Sequence, residues 1–261
     1  MIVSPNSSPT RQLFVISDGV VSMHRFLMVA SLLFVYSVFS PMLATAADEH
    51  GAYAVGVAQI DITPAYPIRL SGFGFRRDEA EGVTQTIWAK ALAISTDAQT
   101  VPVVLITVDN LGIPASMHAE VARRLKEKSG LSPHQLAIAA SHTHTAPMLH
   151  GIAPTLFSQP IPNDQQQRID RYTRELTDHL ESVALAAIKD RQPARMSWGI
   201  GSVKFAINRR TKDGPVDHDL PILVVKRTDG SIRAICVNYA CHCVTLSNNK
   251  ISGDWAGYAQ D

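Results

Sequence analysis

The stretch 101–145, VPVVLITVDNLGIPASMHAEVARRLKEKSGLSPHQLAIAASHTHT, decides the fold. It opens on a nearly continuous apolar run over 101–110, the pattern of a strand in a sheet covered on both faces. A helix follows from Ala115 or Ser116, carries Met117, Val121 and Leu125 at a spacing of four, and stops at Gly130. The next strand is predicted over 136–145. Strand, helix and strand joined by short connections make a βαβ unit, whose crossover is expected to be right-handed.

Flanking segments extend this unit. YAVGVAQIDIT (53–63) alternates and ends at Pro64, and IWAKALAIST (87–96) is parted from the apolar run by a polar turn at 97–100. Toward the other end, QRIDRYTRELTDHLESVALAAIKD (167–190) reads as a long helix. Its apolar stripe is Ile169, Leu176, Leu180, Val183 and Ala187, with Tyr172 near the edge. Glu175 and His179 stand four apart and read as a local helix pair. ARMSWGIGSVKFAINRR (194–210) and LPILVVKR (220–227) read as strands around the turn-rich TKDGPVDHD. IRAICVNYACHCVTL (232–246) begins as a buried strand and delivers His242 at its far end. The expected fold class is α/β, a mixed β-sheet core flanked by helices, with a metal site at the C-terminal ends of strands.

Composition narrows the partners. With 46% hydrophobic and 18% charged residues and a formal net charge of +1, the chain has ample core material and no basic stripe, which argues against nucleic acid. Residues 1–46 read as a leader. From Met23, the expected start, a weakly basic opening leads into an apolar run over 26–39, a break at Pro41 and the small-residue site Ala44-Thr45-Ala46. That is a signal peptide, shorter than the roughly 20 apolar residues of a spanning helix. The expected location is secreted or periplasmic, with membrane anchoring if the leader is not cleaved. Residues 47–261 form the domain. The closing ISGDWAGYAQD looks like the entry to a helix capped by Ser252 or Asp254, so the domain is read as incomplete at its C-terminus. Three cysteines, Cys236, Cys241 and Cys243, are too few for a disulfide scaffold and read as small buried hydrophobes.

Chemistry concentrates in ASHTHT. In an extended strand, residues two apart share a face at a spacing of about 6.6 Å. His142 and His144 then face one way, Thr143 and Thr145 the other. Two imidazoles on one tetrahedral zinc bring their nitrogens to about 3.3 Å. Both histidines binding the ion, or one binding it while the other faces a substrate, fit this spacing. His242 follows another strand much as His142 does. Asp109 ends an apolar run where a carboxylate can orient an imidazole, bind metal or cap a turn. A bound zinc lowers the pKa of water from 15.7 toward about 7, and a neutral histidine nearby can carry its proton. Arg209 and Arg210, closing FAINRR, offer rigid donors for a carbonyl oxygen or an anion, or form surface salt bridges. Asn208 reads as a turn former, Asp217 as a local Asx bond, and His150 as an exposed loop residue. No H-E-x-x-H or G-x-S-x-G occurs, and GFGF lacks dinucleotide spacing.

VGVAQIDITP, LSGFG, VVLITVDNLG, ASHTHTAP, FAINRR, VNYACHCVTL and SGDWAGYAQD occur in this order across 53–261. Together they resemble the N-terminal catalytic domain of the neutral/alkaline ceramidase family. The resemblance implies a zinc amidase that cuts the N-acyl bond of ceramide, releasing a fatty acid and sphingosine. It implies His142 and His242 as zinc ligands, His144 beside the metal-bound water and substrate, and Arg209 lining the substrate site. Two further ligands, a glutamate and a tyrosine, are implied beyond Asp261. The sequence departs from the family pattern at Thr145-Ala146-Pro147-Met148, where Ser-Gly-Pro-Gly is usual, and at Cys241-His242-Cys243, where a His-Pro form is usual. The expected activity is zinc-dependent cleavage of a lipid N-acyl amide, with contact to a membrane surface. The alternatives are a non-catalytic module that keeps the fold, and a metal-dependent phosphoesterase using Asp109 and Asp219.

Overall fold

The computed structural model describes residues 1–3 and 52–261; the expected signal peptide and its start at Met23 lie outside the described residues. In chain order the elements are β1 (Ile2–Val3), β2 (Tyr53–Asp61), β3 (Trp88–Ser95), β4 (Val103–Val108), α1 (Ala115–Ser129), β5 (Leu136–Ala140), α2 (Asn163–Lys189), β6 (Gln192–Ser202), β7 (Asp219–Arg227), β8 (Ile232–Val237) and α3 (Asp254–Tyr258). The strands form one sheet in the order β1-β8-β7-β6-β2-β3-β4-β5. Among the described strands of this sheet, β4 and β5, the pair joined through α1, run parallel, and the other neighbouring strands pair antiparallel. The expected mixed sheet flanked by helices is therefore present.

The helices bury the faces their spacing marks. Met117, Val121 and Leu125 of α1 and Ile169, Leu176, Leu180, Val183 and Ala187 of α2 join one core with Ala89, Ala91, Val104, Ile106 and Val108 of the sheet. Tyr172 belongs to this core and not to an edge: it is 1% exposed, and its hydroxyl donates to the Ile62 carbonyl at 2.8 Å. Helix α2 starts one turn before the predicted Gln167. The Glu175–His179 pair does not form. Glu175 instead accepts from the Tyr66 hydroxyl at 2.6 Å and from Arg171 Nε at 2.7 Å, because a fixed phenol and guanidinium outcompete an imidazole.

Among the described residues, helices cover one face of the sheet only, which changes the reading of β4. Val104, Ile106 and Val108 are buried, but Leu105 and Thr107 are half-buried and Val103 is exposed. The opposite face carries a smaller core of Ile2, Val55, Leu92, Ala194, Val225 and Ala234. Farther along β6, Trp198 and Ile200 are exposed. No helix among the described residues is long and apolar enough to cross a membrane.

Three strands stop earlier than their apolar runs predict. β5 ends at Ala140 instead of continuing to residue 145, because its one partner, β4, ends at Val108; the last ladder bond is Ser141 N–H to the Val108 carbonyl at 2.9 Å. β6 likewise ends at Ser202 and β8 at Val237, where their pairing with β7 runs out. The residues beyond become loops over 141–151, 203–218 and 238–253. Backbone bonds tie the 141–151 loop to the 238–253 loop and to the segment after β2: Ser71 N–H to Ala146 O at 3.0 Å, His144 N–H to Cys243 O at 3.1 Å, and Ser252 N–H to Thr145 O at 2.9 Å.

Candidate metal centre

His142, His144 and His242 meet in these loops. One ring nitrogen from each lies within 4.8 Å of the other two. The ring centroids form a near-equilateral triangle, 5.0 Å for His142–His144, 4.6 Å for His142–His242 and 4.8 Å for His144–His242. His142 and His242 are exposed and His144 is half-buried, so the triangle opens to solvent on one side.

The local backbone differs from the predicted extended strand. His142 adopts φ 61°, a left-handed conformation rare for a residue with a Cβ. Its Nδ1 lies 2.6 Å from the Leu111 carbonyl, an acceptor only, so Nδ1 carries the proton and Nε2 presents a lone pair. That Nε2 is 3.4 Å from Nε2 of His144. Leu111 is held in turn by Asn110, whose Oδ1 accepts from Leu111 N–H at 2.8 Å while its Nδ2 donates to the Pro147 carbonyl at 3.1 Å.

The predicted division of faces survives the change of backbone. Thr143 and Thr145 are fully buried, opposite the histidines. Thr143 Oγ1 donates to the Ser252 carbonyl at 3.1 Å, and Thr145 Oγ1 lies 3.0 Å from that carbonyl and 2.8 Å from the Ser252 hydroxyl. His144 rests on Gly72. A Cβ there would stand 2.5 Å from both Cβ and Cγ of His144, and Gly72 sits at φ +90°, so only glycine fits. The Phe73 ring closes on His144 edge-on, with centroids 5.0 Å apart.

On the His242 side, Asp254 organises the loop. Expected as a helix cap, it is instead the first residue of α3, at φ 56° behind the N-cap Gly253, and is fully buried. Its carboxylate accepts from Thr245 Oγ1 at 2.6 Å, Thr245 N–H at 3.2 Å, Leu246 N–H at 2.8 Å and Trp255 N–H at 2.7 Å. Trp255 Nε1 donates to the His242 carbonyl at 3.3 Å.

Electrostatics favour the neutral form at His144 and His242. Burial, then the adjacent His142 and His242 rings, push the His144 imidazole down to about 4. His242 is lowered too, by burial first and then by His142, Arg209 and Arg210. The converging ring nitrogens suit a divalent ion: Nε2 of His142 and Nε2 of His144, 3.4 Å apart, are spaced close to the roughly 3.3 Å between ligands on a tetrahedral zinc, and a ring nitrogen of His242 lies within 4.8 Å of both rings' nitrogens.

Across residues 53–261 the chain matches the family described as neutral/alkaline non-lysosomal ceramidase, N-terminal. It belongs to that family. The neutral ceramidase of Pseudomonas aeruginosa is 24% identical over 226 residues, covering 79% of this chain and 33% of that protein. Two solved structures share the fold. One is a ceramidase complexed with C2, with a TM-score of 0.66 and 22% identity over 80% of this chain and 34% of that one. The other is the neutral ceramidase from Pseudomonas aeruginosa, at the same TM-score and identity, covering 80% of this chain and 35% of that one. The chain thus spans about a third of the length of the relatives it matches.

In this ceramidase-family domain a cavity of about 550 Å³ opens beside the triangle, lined by His242, Arg209, Arg210, Phe205 and Ile207 among others. Neither arginine makes an ion pair among the described residues. Asn208 and Asp217 shape the rim as expected: Asn208 Oδ1 accepts from the amides of Arg210 and Thr211, and Asp217 Oδ1 accepts from Asp219 N–H at 2.9 Å. Asp109 is not in the triangle. Its buried carboxylate accepts from Trp88 N–H at 3.0 Å and from Gln260 Nε2 at 3.3 Å, and burial raises its pKa. Asp219 opens β7, outside the cluster as well. His150 is exposed and pairs with Asp170 at 2.9 Å. All three cysteines are free thiols, with Cys243 buried.

Proposed function

We propose that this chain is the histidine-bearing part of a zinc-dependent hydrolase that cleaves an N-acyl amide bond in a lipid of the N-acylsphingosine type. The observation that carries the reading is the convergence of three imidazoles, with His142 fixed by Leu111 so that its Nε2 lone pair points toward the other two rings.

In this reading His142 and His242 hold the ion, in the loops that leave the C-terminal ends of β5 and β8. Zinc held there would polarise an amide carbonyl and lower the pKa of water. His144 is the proton carrier. It is neutral, seated on Gly72 and flanked by Phe73, so its ring stays beside its neighbours and its Nε2 can take a proton and return it to a leaving amine. Arg209, on the cavity wall and without an ion pair among the described residues, donates to the carbonyl oxygen as it gains charge. Phe205 and Ile207, 50% and 82% exposed, give the same cavity an apolar wall for a hydrocarbon chain.

The test is zinc content of the purified protein by mass spectrometry, then of His142→Ala and His242→Ala. About one zinc per chain, lost in both variants, supports the reading. Folded protein without zinc makes the chain a non-catalytic module. Hydrolysis of phosphoesters with no release of fatty acid from an N-acylsphingosine would transfer the site to the phosphoesterase class.

A further inference from the structure

We infer that Arg76 is a positioning residue for the histidine triangle, acting through the backbone carbonyls of the loops that carry His144 and His242. The inference rests on the metal-binding reading above.

Arg76 is 3% exposed and forms no ion pair among the described residues. Burying a guanidinium without a carboxylate is costly, so what it binds instead indicates its role. Its Nη1 donates to the carbonyls of Ser71 and His144, and its Nη2 to the carbonyl of Asn248 at 2.8 Å. Each acceptor belongs to a segment that carries or seats part of the triangle. Ser71 precedes the Gly72 seat, His144 is a member, and Asn248 lies in the 238–253 loop that also carries His242. The guanidinium also stacks 4.8 Å from the centre of the Phe73 ring, which packs edge-on against His144.

Arg76 is itself gripped from behind. Its own carbonyl accepts from Arg69 Nη2 at 2.6 Å and from Arg77 Nη1 at 2.8 Å, and Arg69 is 2% exposed. A planar fork held this way reaches three carbonyls from two separate nitrogens, a spread that a lysine, with its three donors on one nitrogen, does not reproduce. Segments 68 and 172 residues away in sequence are thereby set at fixed distances from one another. Partners of this kind, one shell out from a metal's ligands, typically contribute about 10–100-fold in metal affinity.

The test compares wild type, Arg76→Lys and Arg76→Met for Co²⁺ affinity, by competition with a chromophoric chelator, and for the visible absorption of bound Co²⁺. Circular dichroism checks the fold. The expected result is a folded Arg76→Lys with Co²⁺ binding weakened about 10–100-fold and an altered spectrum, and a loss at least as large in Arg76→Met. A folded Arg76→Lys with wild-type affinity and spectrum overturns the assignment. Failure of both variants to fold also overturns it, by making Arg76 a residue of the general fold. If wild type itself takes up no Co²⁺, the metal reading under Proposed function fails and this inference falls with it, a result distinct from the other two.

Discussion

Replacing Gly72 by alanine strikes the contact that seats His144, and the cost can be worked from the geometry. The new methyl meets the Cβ and Cγ of His144 at 2.5 Å and its Cα at 2.7 Å, and the backbone stands at φ +90°. A residue with a Cβ at positive φ costs about 1–2 kcal/mol. Forcing a methyl into a filled space adds about 1–3 kcal/mol. A total loss near 3 kcal/mol would lower Tm by roughly 6–12 °C in a domain of this size. Gly230→Ala is the control: it has φ +86° but nothing within 4 Å of a new Cβ, so it should show the backbone term alone. Both variants are followed by thermal denaturation and zinc titration. Gly72→Ala should lose more stability than Gly230→Ala and, because the His144 ring is displaced, should bind zinc at least about tenfold more weakly. Equal stability losses in the two variants, with wild-type zinc affinity in Gly72→Ala, would refute the claim that this glycine seats the histidine.

Further outcomes follow from the same contacts. Asp254→Ala removes the buried acceptor of the Thr245, Leu246 and Trp255 amides and should cost about 1–3 kcal/mol in urea denaturation, with zinc binding weakened as the His242 loop loosens. An unchanged midpoint would show that the carboxylate is dispensable. His150→Ala should keep full zinc content and lose less than about 1 kcal/mol, since its pair with Asp170 is exposed; loss of zinc would place His150 in the centre. Thr145→Val removes a buried hydroxyl that meets the Ser252 carbonyl and hydroxyl, and should lower stability by about 1–2 kcal/mol. We propose that export removes residues 1–46, including β1, which pairs with β8 here; exported protein should then begin near Ala47 by N-terminal sequencing, and a mature start at Met1 that keeps β1 would contradict the leader reading.

Periodicity made the frame of the sheet and both long helices legible, because those signals are local. Met117, Val121 and Leu125 had to face a core at helical spacing, and they do. Strand ends were not legible, because they depend on a partner. Nothing between Ala140 and Thr145 marks the point where β4 gives out, so the run read as one extended strand. The histidine–threonine alternation still pointed the right way, since two buried hydroxyls need acceptors while imidazoles tolerate exposure. Gly72, Arg76 and the hold of Asp254 on the His242 loop escaped for another reason. Each acts on a segment remote in sequence, and a buried arginine reads in a string of letters like any surface arginine. The LSGFG stretch held one signal, a glycine pair with no strand–helix setting, but its partner lies at His144.

The most direct test is anomalous diffraction at the zinc edge from crystals of the protein grown with zinc. A single peak at about 2.0–2.1 Å from Nε2 of His142 and from a ring nitrogen of His242 is the predicted result. A map with no peak among the three imidazoles, or with its peak on the sulfurs of Cys241 and Cys243, would contradict it.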